Sequence, residues 1–203
     1  MCKYANFFKL LVHFYFDDLI ESKGCHLSAV NCQPLPVNEL SIINYQFTMQ
    51  RICLFPGTFD PITLGHTDII DRALPLFDKL VIGIGRNSSK VPMFSEEQRL
   101  QWIEDIYKGN PKVEGIIYEG LTVNCCKNVG AQFILRGIRY VNDFEYEKAI
   151  ADMNRSLDNN IETVFLTCLP QFTSVASTLV RDVLKNGGDV SQFLPEAVVK
   201  SIS

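Results

Sequence analysis

The sequence lacks the features of several broad classes of protein. No run of apolar residues approaches the ~18 that a membrane-spanning segment needs. The 19 Lys and Arg residues against 23 Asp and Glu residues give a net charge of −4, so there is no basic excess of the kind that a general nucleic-acid surface requires. Internal repeats and low-complexity segments are also absent. We therefore expect a protein that binds neither membranes nor nucleic acid.

A disulfide framework is missing as well. The seven cysteines include the adjacent pair Cys125-Cys126 but form no CxxC pair, and an odd number does not suit complete pairing. Reduced thiols are typical of proteins in a reducing compartment. The sequence therefore predicts a cytoplasmic location.

What the chain does contain, from Arg51 onward, is a regular alternation of strand and helix patterns. Short apolar runs predict strands at residues 52–55, 79–84, 113–118, 132–135 and 163–167, with helical patterns between them. Such alternation is typical of a parallel sheet with helices on both faces and ligands over the carboxyl ends of the strands. We predict a single-domain, Rossmann-like α/β fold with a doubly wound parallel five-stranded sheet.

Several helix ends can also be predicted. Ser95 should cap a helix, with Gln98 three residues later completing a capping box. Pro75 should end the first helix near Leu74. Gly130 and Gly187 suit the carboxyl ends of two later helices, and a last helix should begin near Pro195.

The junction after the first strand is the most informative segment. It reads Pro-Gly-Thr-Phe-Asp-Pro-Ile-Thr-Leu-Gly-His from Pro56 to His66, and Pro56-Gly57 is expected to end the strand. A helix N-terminus has unpaired N–H groups and a positive dipole end, and Gly57 and Gly65 let the backbone approach an anion closely. The junction therefore predicts an anion site, with the ring of His66 pointing at the anion.

This string resembles the TxGH signature of the nucleotidyltransferases, and as a whole it resembles the bacterial phosphopantetheine adenylyltransferase family. The resemblance runs from about Met49 to the C-terminus. It implies transfer of AMP from ATP to 4'-phosphopantetheine, which gives dephospho-coenzyme A and pyrophosphate in coenzyme A biosynthesis. It further implies Mg²⁺ as cofactor and a homohexamer.

The same resemblance assigns the site residues. ATP binding falls on Thr58, Phe59, His66, Gly137, Ile138, Arg139, Glu147 and the loop Phe172, Thr173, Ser174, Val175, Ala176, Ser177 and Thr178. The phosphopantetheine site comprises Thr58, Lys90, Thr122 and Arg136. Catalytic roles fall on His66, Lys90 and Arg139, and no residue is assigned as a metal ligand.

Attack of one phosphate on the α-phosphorus of ATP requires alignment and charge neutralisation more than a nucleophilic side chain. His66 and Lys90 are expected to donate to the oxygens of the reacting phosphorus. Arg139 and the loop after the fifth predicted strand, which carries Ser177 and Thr178, would hold the departing pyrophosphate. The result would be a direct in-line displacement.

Two positions depart from the family pattern. Ala176 replaces a hydroxyl residue, so phosphate binding there must use Ser177, Thr178 or backbone N–H groups. Thr122 stands where a larger apolar residue is usual, which weakens the expected contact with the pantetheine arm.

Other interpretations of single residues stay open. Arg136 and Arg139 could be ion-pair partners of Asp143 or Glu145. Asp60, next to Pro61, is interpreted as stabilising its own turn through an Asx-type hydrogen bond.

Two rival functions also stay open. One is a related nucleotidyltransferase that uses nicotinamide mononucleotide or a sugar or glycerol phosphate. The other is a non-catalytic nucleotide-binding or regulatory module.

Residues 1–48 have no counterpart in the resemblance. They are either an upstream extension that the natural product lacks, or a real appendage such as a short amphipathic interaction helix. We predict a division into this extension of unknown role and a nucleotidyltransferase domain at residues 49–203.

Overall fold

Residues 50–86 and 91–202, which the computed structural model of the chain describes, alternate between strands and helices. The strands are β1 (Ile52–Gly57), β2 (Lys79–Gly85), β3 (Val113–Tyr118), β4 (Phe133–Ile138) and β5 (Glu162–Thr167). The helices are α1 (Leu64–Ala73), α2 (Glu96–Ile106), α3 (Thr122–Val129), α4 (Val141–Leu157), α5 (Ser177–Lys185) and α6 (Glu196–Ile202). Short 3₁₀ turns lie at Pro170–Phe172 and Ser191–Phe193. None of the helices in the described ranges is long and apolar enough to cross a membrane.

The five strands form one sheet in the order β3-β2-β1-β4-β5, and every neighbouring pair is parallel. The chain builds outward from β1 to β3 and then returns to the other side of β1 with β4. Such a reversal opens a crevice between the two central strands at their carboxyl ends. The predicted doubly wound α/β fold is confirmed.

The predicted strands all occur, with ends that differ by at most three residues. The prediction that Pro56-Gly57 ends the first strand is wrong, because both residues remain paired with β2, opposite Gly83 and Ile84. Pairing between β1 and β4 stops at Leu54, so the N–H group that proline lacks is not needed on that side. The carbonyl of Pro56 instead accepts a hydrogen bond from the Arg136 side chain.

The core has two layers because side chains alternate along each strand. On one face, Cys53 and Phe55 pack with residues of α1, α2, α5 and α6. On the other face, Leu54 and Val81 pack against α3. The strands are thus buried on both sides, as their nearly continuous apolar sequence indicates.

The predicted helix ends are also confirmed, except that only the Ser95 half of the capping box is formed. The Ser95 hydroxyl accepts a hydrogen bond from the Gln98 N–H at 3.2 Å, and α1 stops at Ala73, two residues before Pro75. Gly130 has the left-handed φ of 69° that favours glycine at the end of α3. Gly187, with a φ of 72°, directly follows the cap of α5.

Candidate active site

A cavity of 740 Å³ lies along the carboxyl edge of the sheet. Twelve of the residues that the sequence assigns to substrates line it: Thr58, Phe59, His66, Thr122, Arg136, Gly137, Arg139, Glu147, Val175, Ala176, Ser177 and Thr178. The remaining assigned residues within the described ranges do not line it: Ile138, Phe172, Thr173 and Ser174. Lys90 lies outside the described residues.

His66 is the third residue of α1, on the cavity wall. Its Nδ1 accepts a hydrogen bond from the Thr63 N–H at 3.0 Å, and the Thr63 hydroxyl lies at the same distance. Because Nδ1 accepts a backbone hydrogen bond, a neutral ring must carry its proton on Nε2. The helix start therefore prepares His66 as a hydrogen-bond donor through Nε2.

The same surroundings keep this ring neutral. Burial, together with the positive charges of Arg139 and Arg136, lowers the pKa of His66 from 6.5 to about 4. At neutral pH the imidazole then donates a hydrogen bond without bringing a full charge. It can still respond to negative charge that develops on a substrate oxygen.

Phe59 fixes the position of the His66 ring. The two rings meet edge to face at 5.2 Å, and Phe59 makes a second edge contact with Phe55 at 5.4 Å. Phe59 adopts a left-handed φ of 47°, and its ring lies so close to Gly57 that a Cβ there would approach to 2.9 Å. Glycine at position 57 is thus required by the packing of Phe59.

Arg136 is held by two partners. Its Nε and Nη2 donate to the two carboxylate oxygens of Glu147 at 2.7 and 2.5 Å, and Nη1 donates to the Pro56 carbonyl at 2.8 Å. A guanidinium carries five N–H donors, so two remain for an anion. The ion pair that the sequence left open is thus formed with Glu147, not with Asp143 or Glu145.

Arg139 is the freer of the two arginines. Asp143 accepts a hydrogen bond from the Arg139 backbone N–H at 3.2 Å, and its carboxylate lies 3.5 Å from Nε. Of the two ion-pair partners that the sequence offered for Arg139, Asp143 and Glu145, the structure shows Asp143. Most of its guanidinium donors nevertheless stay available at the cavity wall.

The start of α5 offers fewer hydroxyl donors than its sequence indicates. The Ser177 hydroxyl donates to the Pro61 carbonyl at 2.8 Å, which uses its one hydrogen. Thr178 Oγ1 lies 3.4 Å from an Arg181 donor and keeps its own hydrogen free to donate. Anion binding here would therefore depend on Thr178 and on the N–H groups of the first turn of α5.

Asp60 has a different role from the predicted Asx turn, and that prediction is wrong. The carboxylate is 5% exposed and accepts hydrogen bonds from the N–H groups of Met93 and Phe94 at 2.9 and 3.0 Å. Arg181 lies 3.6 Å from it. Asp60 thus connects the loop after β1 to the segment that leads into α2.

Several cavity residues carry no assignment from the sequence. They come from the ends of β2 and β3, from the end of β5 and from the inner side of α4: Gly85, Arg86, Tyr118, Gly120, Ile150, Ala151 and Cys168. Asn154, which with Met153 resembles family positions near the pantetheine arm, also lines the cavity, whereas Met153 does not. Apart from Thr122, the residues assigned from the sequence follow the first, second, fourth and fifth strands. The same rule on carboxyl ends, applied to β3, would have found Tyr118 and Gly120.

A family model and individual known proteins that resemble this chain point to the same group of enzymes. The cytidylyltransferase-like family model matches residues 54–183. A phosphopantetheine adenylyltransferase of Flavobacterium psychrophilum is 53% identical over 148 residues, which are 73% of this chain and 97% of that protein. Another, from Bacteroides thetaiotaomicron, is 48% identical with the same coverage.

The fold also has a solved counterpart. A Vibrio parahaemolyticus protein, described as a nicotinate-nucleotide adenylyltransferase, superposes with a TM-score of 0.58 and 19% sequence identity. The match covers 75% of this chain and 91% of that one. At this identity the likeness shows a shared fold and nothing about the substrate.

Proposed function

The chain belongs to the phosphopantetheine adenylyltransferase family, and we propose that it transfers AMP from ATP to 4'-phosphopantetheine. The products are dephospho-coenzyme A and pyrophosphate. The observation that carries the proposal is the convergence of a neutral histidine donor and two arginines on one cavity of 740 Å³. Such an arrangement suits two phosphate-bearing substrates placed side by side.

The reaction needs no covalent intermediate with the protein. An oxygen of the acceptor phosphate attacks the α-phosphorus of ATP, and a new P–O bond forms as the bond to the pyrophosphate oxygen breaks. His66 would donate from Nε2 to an α-phosphate oxygen as negative charge develops there. Lys90 is proposed as a second donor to the same group.

The arginines divide the other phosphates between them. Arg136, held by Glu147 and the Pro56 carbonyl, would use its two remaining N–H donors for the acceptor phosphate. Arg139 and the first turn of α5 would hold the β- and γ-phosphates of ATP. The contact of Glu147 with ATP that the resemblance implies stays a prediction.

Magnesium enters this proposal as part of the substrate. Among the described residues, no group of three or more His, Cys, Asp or Glu side chains could hold a metal ion, and Glu147 at the cavity is bound to Arg136. Mg²⁺ commonly binds through substrate phosphates with few protein ligands. We therefore propose that it arrives on ATP and offsets the phosphate charge.

We also propose a cytoplasmic homohexamer. Unpaired Cys53, Cys125 and Cys126 support a reducing location. Helix α4 has no buried residue in the single chain, and it exposes apolar side chains such as Val141 and Met153. Sedimentation at equilibrium should give a mass near six chains, and a monomer would contradict the assembly without affecting the proposed reaction.

An acceptor screen tests the proposed reaction. The protein is incubated with ATP, Mg²⁺ and one acceptor at a time: 4'-phosphopantetheine, nicotinamide mononucleotide, glycerol 3-phosphate or a sugar phosphate. Pyrophosphate release is measured, and the adenylylated product is identified by mass spectrometry. We expect release with 4'-phosphopantetheine far above that with the others.

The other outcomes point to the rival functions. Preferential release with a different acceptor would identify a related nucleotidyltransferase. Binding of ATP with no release for any acceptor would favour a non-catalytic nucleotide-binding module.

A further inference from the structure

The start of α5 is bound to the loop after β1 by two side chains that lie one helical turn apart. Ser177, the first residue of α5, donates from its hydroxyl to the Pro61 carbonyl at 2.8 Å. Arg181, four residues later, donates from Nη1 to the Asp60 carbonyl at 2.5 Å. Because residues four apart share one face of a helix, a single face of α5 is fixed against residues 60–61.

Arg181 also balances the charge of the Asp60 carboxylate. The side chain of Asp60 is 6% exposed, and its Oδ2 lies 3.6 Å from Nη1 of Arg181. The carboxylate also accepts hydrogen bonds from the N–H groups of Met93 and Phe94, which carry no charge. A carboxylate buried to this extent is costly without a counter-charge, and Arg181 supplies one.

The other terminal nitrogen of Arg181 acts on the cavity wall. Nη2 lies 3.4 Å from Thr178 Oγ1, and a guanidinium can only donate. A hydroxyl that accepts from Arg181 must direct its own hydrogen elsewhere. Thr178 lines the cavity, whereas Arg181 does not, so Arg181 orients a cavity hydroxyl from outside the cavity.

The two elements that meet at this contact serve different phosphates in the proposed reaction. His66, on α1, would donate to the α-phosphate, and the first turn of α5 would hold the β- and γ-phosphates. The bond that breaks joins these two parts of ATP. An in-line attack needs both parts aligned at once, and a misplacement of about 1 Å can slow a reaction about 10²-fold.

Resting on the proposed function, we propose that Arg181 is a positioning residue for AMP transfer. It contacts neither substrate and acts through Asp60 and Thr178. Its bonds set the distance between the loop that leads to His66 and the helix start that holds the departing pyrophosphate. Loss of Arg181 therefore slows the chemical step more than it weakens the binding of ATP.

Removal of the guanidinium tests this role. Arg181→Met keeps an apolar stem but removes the charge and every donor, and it should lower kcat about 10- to 100-fold. The dissociation constant for ATP should change less than about threefold, because the phosphate contacts stay on α5. Arg181→Lys keeps the charge and a donor for Asp60, so it should recover most of the lost kcat.

Arg72 provides a matched control on α1. Its Nη1 donates to the Asp68 carboxylate at 2.9 Å and to the Thr167 carbonyl at 2.8 Å, so it is bound to a carboxylate and a backbone carbonyl, as Arg181 is. Arg72 does not line the cavity. Arg72→Met should therefore leave kcat within about twofold, even where its melting temperature falls as far as that of Arg181→Met.

Three measurements are made on each variant. Single-turnover release of pyrophosphate with 4'-phosphopantetheine gives the rate of the chemical step, calorimetric titration gives the dissociation constant for ATP, and thermal unfolding reports the fold. If Arg181→Met does not fold, Arg181→Gln, which keeps one amide donor without a charge, is judged by the same criteria.

Several results would overturn the inference. A loss of ATP affinity as large as the loss of kcat would place Arg181 among the phosphate contacts. An unchanged rate, no recovery with lysine, or an equal loss of rate in Arg72→Met would show that Arg181 has no particular role in alignment. Failure of the unmodified chain to release pyrophosphate with 4'-phosphopantetheine would instead remove the proposed function.

Discussion

At the scale of single residues, the chemistry depends on where the protons of the cavity are held. The Thr63 N–H donates to Nδ1 of His66, and burial together with the two arginines disfavours a second proton on the ring. The result is a donor that is neutral and already oriented before substrate arrives. Such preorganised donors act mainly on the transition state, where negative charge is largest.

Replacement of His66 tests this role. His66→Ala should lower kcat by ~10²- to 10³-fold, because one preorganised donor to developing charge is lost. The dissociation constant for ATP should change much less. Thr67→Ala, one residue further along α1 and outside the cavity lining, serves as the control, and weaker ATP binding at unchanged kcat would contradict the assignment.

The low pKa of His66 predicts a dependence of stability on pH. The folded state holds the ring neutral down to about pH 4, whereas the unfolded chain protonates it near the ordinary histidine pKa of 6.5. The unfolded state therefore binds more protons between these values, and the stability contribution present above pH 6.5 is lost as the pH falls toward 4. NMR titration of the His66 ring should give an apparent pKa near 4.

Chemical denaturation at several pH values measures the energetic consequence. Relative to His66→Asn, the unmodified chain should lose of the order of 3 kcal/mol of unfolding free energy between pH 7 and pH 4. Asparagine can accept the Thr63 hydrogen bond but does not titrate, so it is the matched reference. A pH-independent difference between the two proteins would show that the ring titrates alike in both states.

At the scale of elements, buried charged groups hold the β1–α1 junction against the start of α2. Arg99, 3% exposed, donates from Nη1 to the Thr58 carbonyl at 2.6 Å and from Nε to the Phe94 carbonyl at 3.1 Å. Asp60 accepts from two backbone N–H groups of the same segment. The position of Thr58 at the cavity thus depends on a segment more than thirty residues away.

Asp60→Ala should therefore destabilise the whole fold. It would leave two partly buried N–H groups without an acceptor, at a cost of about 2–4 kcal/mol of unfolding free energy. Asp152→Ala, an exposed carboxylate paired with Lys148, should cost less than ~1 kcal/mol. Equal denaturation midpoints for the two variants would show that the buried hydrogen bonds contribute little.

These elements also show what could be predicted from the sequence. Periodicity and glycine or proline positions are local signals, so the strands and most of their ends and the helix ends were correctly predicted, whereas Pro56-Gly57 continues β1 instead of ending it. The partners of Asp60 could not be found in this way because they lie 33 and 34 residues away. Turn propensity beside Pro61 favoured a local role that tertiary contacts replaced.

The pairing of Arg136 with Glu147 was predictable in part. Asp143 and Glu147 are four residues apart and share one face of α4, while Glu145 points away from that face. Helical phase therefore favours Glu147 over Glu145 as a partner for an arginine at the end of β4. Local sequence does not reveal which of the two carboxylates each arginine contacts.

At the scale of the whole molecule, topology creates the site. The reversal of strand order places β1 beside β4, and loops from both halves of the sheet meet above them. The sequence predicted that the site lies at the carboxyl ends of the strands, because that location follows from a parallel sheet alone. The extension of the cavity to β3 depends on how the Tyr118 ring packs on β2, which periodicity does not reveal.

The five strands of the sheet and every residue proposed for the site lie after Met49. Removal of residues 1–48 should therefore leave turnover within about twofold and the melting temperature within a few degrees, because it removes neither a strand of the sheet nor a proposed site residue. Thermal unfolding and pyrophosphate release by the full and shortened chains provide the comparison. A shortened chain that fails to fold would show that these residues belong to the same folding unit.

The stereochemistry at the α-phosphorus tests the central claim most directly, because it reports both the reaction and its course. The protein is incubated with 4'-phosphopantetheine and a single diastereomer of ATP in which sulfur replaces one non-bridging oxygen of the α-phosphate. The configuration at the same phosphorus is then determined in the product. A single in-line displacement, aligned by donors rather than by a covalent intermediate, predicts dephospho-coenzyme A with inverted configuration. Retention of configuration, or no dephospho-coenzyme A product, would contradict the account.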